Sequence, residues 1–140
     1  MTDTSDTETL TIEVDQFLAH PPARVWRALV EPDLQARWMS MGPDFEPMVG
    51  HRFAIDMGEW GTTQCEVLEV VEAERLVISW ANDPLATTVT WRLVPEGTGT
   101  RLFLEHAGFT PDQRGAVEGM GAGWGSAVRE RLPEVLASIG

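Results

Sequence analysis

The sequence contains no lysine, no tyrosine and a single cysteine, Cys65. One cysteine excludes an internal disulfide, so the fold depends on its own core. All ten basic residues are arginines, and twenty-two acidic residues bring the net charge to −12. Binders of nucleic acid and of anionic lipid need basic surface to neutralise phosphate. We therefore expect neither nucleic acid nor a membrane among the partners of this acidic protein.

Long apolar runs are missing as well. No stretch of the sequence approaches the roughly 18–20 apolar residues of a membrane-spanning helix. The first nine residues are acidic and polar, unlike a secretory or transit peptide, and bring little apolar surface to offset the entropy of ordering. We expect residues 1–9 to form a disordered tail, residues 10–140 to form one domain, and the protein to be cytoplasmic.

Along the chain, segments in which apolar and polar residues alternate are interspersed with segments in which apolar residues recur at helical spacing. Alternation from Leu10 to Leu18 predicts a half-buried strand. Two short helices are expected from Ala23 to Val30 and from Pro32 to about Trp38, because each begins beside a proline suited to a first helical turn. Up to Phe109, alternation and glycine-containing turns predict five or six antiparallel strands.

The last segment changes to a helical period. Thr110, Pro111 and Gln113 are typical of a helix start with a capping box. Apolar residues then recur in one narrow arc of a helix up to Ile139, which predicts a long amphipathic helix. Pro133 lies inside it and should kink the helix or end its first part, because proline removes a hydrogen bond to residue 129.

Glycine is frequent in the first half of this helix, at positions 115, 119, 121, 123 and 125. Each costs about 0.5–1 kcal/mol relative to alanine in a helix interior. Three interpretations stay open. The first is that another chain packs closely on a strip of small residues. The second is that the first half of the helix is loose and acts as a lid, and the third is that the chain forms an irregular loop up to about residue 118.

Several short strings, taken together, resemble a known superfamily. They are Ala19–Leu29, Glu31–Leu34 with Arg37-Trp38, Glu74–Trp80, Thr88–Thr90, Gly99–Leu102, His106–Phe109 and Gly123-Trp124. In this order, over about residues 10–137, the chain resembles the helix-grip, or START-like, proteins of the SRPBCC superfamily. Within them it is most similar to the branch related to the C-terminal domain of the activator of heat-shock-protein-90 ATPase.

The resemblance implies an α+β fold. A curved antiparallel sheet of six or seven strands would wrap around the long C-terminal helix, with two short helices after the first strand and a hydrophobic cavity between sheet and helix. Two features depart from the family pattern. Gly121-Ala122-Gly123 replaces the usual bulky or polar residues before the helix tryptophan, and Pro133 interrupts a stretch that normally continues as helix.

Six tryptophans are the strongest chemical signal in the sequence. Alternation, helical spacing and the family resemblance together predict a ligand-binding set of Trp38, Phe53, Ile55, Trp80, Trp91, His106, Met120 and Trp124. Large rings bury much area and stack on one another, which suits a flat apolar ligand. Plain core packing would explain the same residues.

Signs of catalysis are scarce. The three histidines and Cys65 lack zinc-ligand spacing, and a chain without lysine has no Walker-type phosphate loop. We predict no catalytic residue, no metal and no cofactor, and we interpret Cys65 as a small core residue. His106 is the titratable residue on the predicted inner face, either a ligand-orienting group or general base, or a satisfied core histidine. On the opposite face, Arg92 and Glu105 are expected to form a weak cross-strand ion pair.

Three functions follow from these features. The leading one is binding of a small hydrophobic, planar ligand in a cavity between the sheet and the C-terminal helix. The alternatives are a protein-interaction or chaperone-regulatory module, and a cyclase- or hydratase-type enzyme that uses His106. A homodimer is compatible with each of them. The sequence does not decide whether the protein is an enzyme, although the scarcity of catalytic signatures favours a non-enzymatic function.

Overall fold

A computed structural model of the chain describes residues 10–39, 45–56, 62–82 and 85–139. The predicted tail, residues 1–9, lies outside the described residues. Within them, six strands form one antiparallel sheet: β1 (Leu10–Leu18), β2 (Arg52–Asp56), β3 (Thr62–Val71), β4 (Arg75–Asn82), β5 (Leu85–Glu96) and β6 (Gly99–Phe109). Their order across the sheet is β1-β6-β5-β4-β3-β2.

Four helices accompany the sheet in the described part of the chain. They are α1 (Pro22–Val30), α2 (Pro32–Gln35), α3 (Arg114–Ser126) and α4 (Leu132–Ser138). The first two follow β1 and the last two form the C-terminal helix, with a 3₁₀ turn (Pro111–Gln113) before α3 and a π-helical turn (Ala127–Arg131) between α3 and α4. The curved sheet, the two short helices and the long C-terminal helix confirm the expected α+β helix-grip fold.

Alternation places the core on the inner face of the curved sheet. In β1, Ile12 and Val14 are buried whereas Glu13 and Asp15 are exposed. The antiparallel register continues this division across the sheet, with Ile12 opposite His106 and Val14 opposite Leu104, all buried. The outer face carries the polar residues, as period-two alternation requires for a sheet that buries one side.

Helix α2 and the turn that follows it close the end of α1 through two side chains. The indole N–H of Trp38 donates to the carbonyl of Ala28 at 2.8 Å. The amide Nε2 of Gln35 donates to the carbonyl of Leu29 at 2.7 Å. Both carbonyls belong to the last turn of α1, where no intrahelical partner exists. Helix α2 ends at Gln35 and continues as a turn, so it is shorter than the predicted helix to Trp38.

The predicted start of the C-terminal helix is confirmed. The backbone N–H of Thr110 donates to Oε1 of Gln113 at 2.9 Å, which is one half of a capping box. Regular α-helix begins at Arg114, so the interpretation of an irregular loop up to residue 118 is wrong. The regular α-helix is interrupted before Pro133. Helix α3 ends at Ser126, a π-helical turn follows in which the N–H of Leu132 donates to the carbonyl of Ala127, and α4 begins at Leu132.

Intramolecular packing does not require the glycines of α3. A Cβ atom placed on Gly115, Gly119 or Gly123 would meet nothing within 4 Å in the described chain. Gly99, at the start of β6, is different, since a Cβ there would lie 2.5 Å from the carbonyl oxygen of Leu18. The glycines of α3 therefore lower the intrinsic stability of the helix without improving its packing.

The predicted ion pair on the outer face is not formed. The register of β5 with β6 places Arg92 opposite Phe103, and Glu105 opposite Thr90. The guanidinium of Arg92 lies over the ring of Phe103, 4.4 Å from its centroid, in a cation–π contact. Alternation along the strands correctly predicted that Arg92 and Glu105 share one face of the sheet. They do not pair because the register shifts them by two residues, so that Glu105 lies opposite Thr90.

Candidate functional site

Rings from four elements meet where the C-terminal helix crosses the inner face of the sheet. We call Trp80, Trp91, His106, Phe109 and Trp124 the aromatic cluster. The centroid of the Trp124 ring lies 5.7 Å from that of Trp80 and 5.9 Å from that of Trp91, with interplanar angles of 64° and 82°. His106 lies 5.4 Å from Trp80 and 4.7 Å from Phe109. Edge-to-face pairs of this kind contribute about 0.5–1.5 kcal/mol each beyond their buried area.

Each member of the aromatic cluster is placed by the period of its own element. Trp80 on β4, Trp91 on β5 and His106 on β6 all occupy inward positions of their strands. Trp124 is the buried residue of α3 and packs against them from above. Trp124 is therefore the one fully buried side chain of α3, and Ala116, Val117 and Met120 of the same helix pack against the core half-buried.

A chain of hydrogen bonds runs through the aromatic cluster. The indole N–H of Trp124 donates to Nδ1 of His106 at 3.0 Å. Nε2 of His106 lies 2.8 Å from the hydroxyl oxygen of Thr87, and that hydroxyl donates to the carbonyl of Trp80 at 2.8 Å. Because the hydroxyl has a single hydrogen, it accepts from His106. From this network we assign His106 as the neutral tautomer with its proton on Nε2.

The surroundings keep His106 uncharged. Its side chain is 0% exposed, and this burial lowers the pKa of His106 to about 4 by disfavouring the charged ring. Both ring nitrogens are engaged, one as acceptor and one as donor. In this arrangement His106 holds Trp124 to the sheet and has no free nitrogen for proton transfer.

Trp91 brings an unsatisfied donor into the same cluster. Its indole nitrogen is buried and has no hydrogen-bond partner, although the residue is 0% exposed. A buried donor without an acceptor destabilises a fold by about 1–3 kcal/mol. An acceptor on a bound molecule would relieve this penalty.

The other predicted site residues lie elsewhere in the same core. Met120 is half-buried and lies four residues before Trp124 on α3, on the same side of the helix. Phe53 and Ile55 lie on β2, which β3 separates from β4. Trp38 lies on the turn after α2. The structure thus brings together Trp80, Trp91, His106 and Trp124 and places Met120 on the same side of α3 as Trp124, whereas Trp38, Phe53 and Ile55 lie in other parts of the core.

A second, smaller ring group surrounds Phe53. The ring of Phe45 meets it edge-on at a centroid distance of 5.2 Å, and His51 is stacked with it at 6.0 Å with an interplanar angle of 12°. Sequence reasoning did not single out Phe45. It also missed Thr87. This residue lies two positions before the apolar Val89 on the same strand, so alternation places both on the inner face, and that spacing was the available signal.

Cys65 is a core residue, 3% exposed, and burial raises the pKa of its thiol to about 12. No group of three or more His, Cys, Asp or Glu side chains among the described residues is arranged to hold a metal ion. None of the helices described is both long and apolar enough to span a membrane.

A depression of about 260 Å³ lies on the outer face of the sheet, away from the aromatic cluster. Its lining includes Glu13, Asp15, Arg92, Phe103 and Glu105. The residues that line the depression belong to β1, β5 and β6, and the depression is partly open to solvent.

The comparisons with known proteins agree with this architecture. The family model described as Activator of Hsp90 ATPase homolog 1-like protein matches residues 19–137. Among the solved structures, protein MLL2253 from Mesorhizobium loti is 40% identical, with 94% of this chain and 99% of that chain covered and a TM-score of 0.83. No curated protein gave a significant match.

Two further solved structures extend the comparison. CalU16 from Micromonospora echinospora is 30% identical over 92% of this chain and 77% of its own, with a TM-score of 0.75. Protein BH1534 from Bacillus halodurans is 24% identical over 91% of this chain and 96% of its own, with a TM-score of 0.78. The second shares the fold at low identity.

Proposed function

Since the chain belongs to the family of activator of Hsp90 ATPase homolog 1-like proteins, we propose that it binds a small, planar, apolar molecule between its sheet and its C-terminal helix. Proteins of this fold family generally bind ligands. The aromatic cluster is the observation that carries the proposal. It gathers two indoles, an imidazole and a phenyl ring on the sheet beneath α3, and a third indole, that of Trp124, from α3 itself.

The roles of the individual residues follow from their positions. Trp80, Trp91, Met120 and Trp124 supply flat or flexible apolar contact, and His106 supplies the polar group. Phe53 and Ile55 extend the same core towards β2, and Trp38 closes the end formed by α1 and α2. Flat indole walls recognise a planar ring system through stacked and edge-on contacts, which supports a planar ligand over a flexible one.

Binding is favoured over catalysis by the state of His106. A general base needs a nitrogen that can reach the substrate proton. Here Nδ1 accepts from Trp124 and Nε2 is bonded to Thr87. Burial also lowers the pKa of His106 to about 4, so Nδ1, once freed, would accept a hydrogen bond but act only as a weak base. We therefore place His106 among the binding residues of the proposed site.

Thermal unfolding in the presence of planar aromatic compounds tests this proposal, with tryptophan fluorescence recorded in parallel. A ligand at about a hundred times its dissociation constant should add about 2.7 kcal/mol to the free energy of unfolding. Related compounds that raise the melting temperature should also quench tryptophan emission, because their rings contact the indoles.

Matched variants locate the site. Trp91→Phe changes the aromatic cluster and should weaken binding, whereas Phe103→Leu changes the outer face and should leave it intact. Absence of any stabilising compound across several chemical classes would contradict the proposed function, and so would equal weakening by both variants.

A further inference from the structure

The aromatic cluster is tightly closed, so a ligand can enter it only if part of the chain moves. Trp80, Trp91 and Trp124 are 5%, 0% and 7% exposed. Among the elements around the cluster, α3 lies outside the sheet and fully buries one residue, Trp124, while Ala116, Val117 and Met120 pack against the core only half-buried. Its five glycines, three of which have open space around them, lower its helical stability further.

Displacement of α3 would break one particular hydrogen bond. Trp124 would withdraw its N–H from Nδ1 of His106, which it now reaches at 3.0 Å. The histidine itself would stay in place, since its other nitrogen is bonded to Thr87 and that hydroxyl is fixed by the carbonyl of Trp80. The opened site would therefore present a buried, unpaired acceptor where the indole had been.

Nearby, the aromatic cluster already holds a buried, unpaired donor. The indole nitrogen of Trp91 has no partner, and its ring centroid lies 5.9 Å from that of Trp124. The opened site thus combines flat apolar walls with one acceptor, on His106, and one donor, on Trp91. A molecule that satisfies both must carry a hydrogen-bond donor and a hydrogen-bond acceptor at the edge of a planar ring.

We propose that the ligand is a neutral aromatic alcohol whose hydroxyl replaces the indole N–H of Trp124 on Nδ1 of His106, and that α3 is the element that moves to admit it. The inference rests on the proposed function above and narrows it to a chemical class. A hydroxyl has both a hydrogen for His106 and lone pairs available to a donor such as Trp91, whereas a ring N–H has only the hydrogen.

The charge of the protein also favours a neutral hydroxyl. A carboxylic acid is ionised at neutral pH and then only accepts hydrogen bonds, so it would face the acceptor Nδ1 unfavourably. It would also approach a chain with a net charge of −12. A phenolic hydroxyl keeps its proton at neutral pH.

Calorimetric titration of the full chain with 2-naphthol and with 2-methylnaphthalene tests the inference. The two probes have nearly the same shape, and only the first carries a hydroxyl. We expect 2-naphthol to bind about tenfold more tightly or better, because the other probe leaves Nδ1 of His106 unpaired.

A variant separates this hydrogen bond from general packing. Both probes displace the indole N–H of Trp124 from His106. Trp124→Phe keeps a ring on α3 but removes that N–H, so it should tighten the binding of both probes and leave the preference for 2-naphthol in place. Phe103→Leu changes a ring on the outer face, which lies under the guanidinium of Arg92, and it should change neither affinity.

Each remaining result is decisive. Equal affinities for the two probes would overturn the aromatic-alcohol inference and leave the proposed binding function standing. A preference for 2-naphthol without tighter binding of either probe to the Trp124→Phe variant would show that the hydroxyl binds elsewhere and would also overturn the inference. Absence of binding by both probes, together with no hit in the thermal screen, would contradict the proposed function itself.

Discussion

Replacing Gly119 and Gly123 by alanine should stabilise this protein. Both residues lie in α3, both are exposed, and a Cβ on either would meet no atom within 4 Å. Alanine is favoured over glycine in a helix interior by about 0.5–1 kcal/mol per site. With no steric penalty to subtract, the double variant should gain about 1–2 kcal/mol in free energy of unfolding.

Urea unfolding at neutral pH measures this gain, and Gly99→Ala is the matched control. At Gly99 a Cβ would lie 2.5 Å from the carbonyl oxygen of Leu18 and 2.6 Å from the ring of Phe17, so the same change should destabilise. A loss of stability in the double variant, or no change, would refute the reasoning. A loss that depends on protein concentration would indicate that another copy of the chain packs on this side of α3.

The double variant also tests whether α3 moves. If ligand entry requires α3 to leave the sheet, a more stable helix should slow association of 2-naphthol without changing the contacts in the bound state. Hydrogen exchange over residues 114–126 should slow in parallel. Unchanged association alongside slower exchange would contradict α3 as the moving element.

Three further predictions concern buried side chains. Thr87→Val should lower the free energy of unfolding by about 1–3 kcal/mol, because it leaves His106 and the Trp80 carbonyl unpaired, whereas Thr87→Ser should retain most of it in the same urea titration. The pKa of His106 falls from 6.5 to about 4 on folding, so the unfolded chain binds more protons between these values. Stability should drop by about 3 kcal/mol as pH falls through this window, and His106→Gln, compared with the natural chain at each pH, should lack that component. The Cys65 thiol should react with a thiol reagent only after unfolding in urea, since burial raises its pKa to about 12.

The fold was predictable from the sequence because it rests on periodic patterns. Alternation placed Ile12 and Val14 on the buried side of β1, and the Thr110–Gln113 pattern located the start of the C-terminal helix. The π-helical turn before Pro133 was not predictable, because the helix can respond to a proline by kinking, ending or widening, and packing around it decides among these.

The aromatic cluster was predictable in part. Alternation along strands and spacing along a helix predict that Trp80, Trp91 and Trp124 face one another. They do not predict which strands are neighbours in the sheet, and therefore how far apart two residues on the same face lie. The separation of Phe53 from Trp80 follows from the strand order, in which β3 lies between β2 and β4. The role of Thr87 depends on one hydroxyl bridging His106 to a carbonyl, a contact that only the folded chain reveals.

The most direct test of the account is the set of tryptophan indole N–H resonances in a ¹H–¹⁵N spectrum, followed during titration with 2-naphthol. The assignments come from Trp→Phe variants. The account predicts that the resonances of Trp91 and Trp124 shift most, while that of Trp26, which lies on α1 outside the proposed site, stays in place. Unmoved resonances of Trp91 and Trp124 at saturating ligand would contradict a binding site between the sheet and the C-terminal helix.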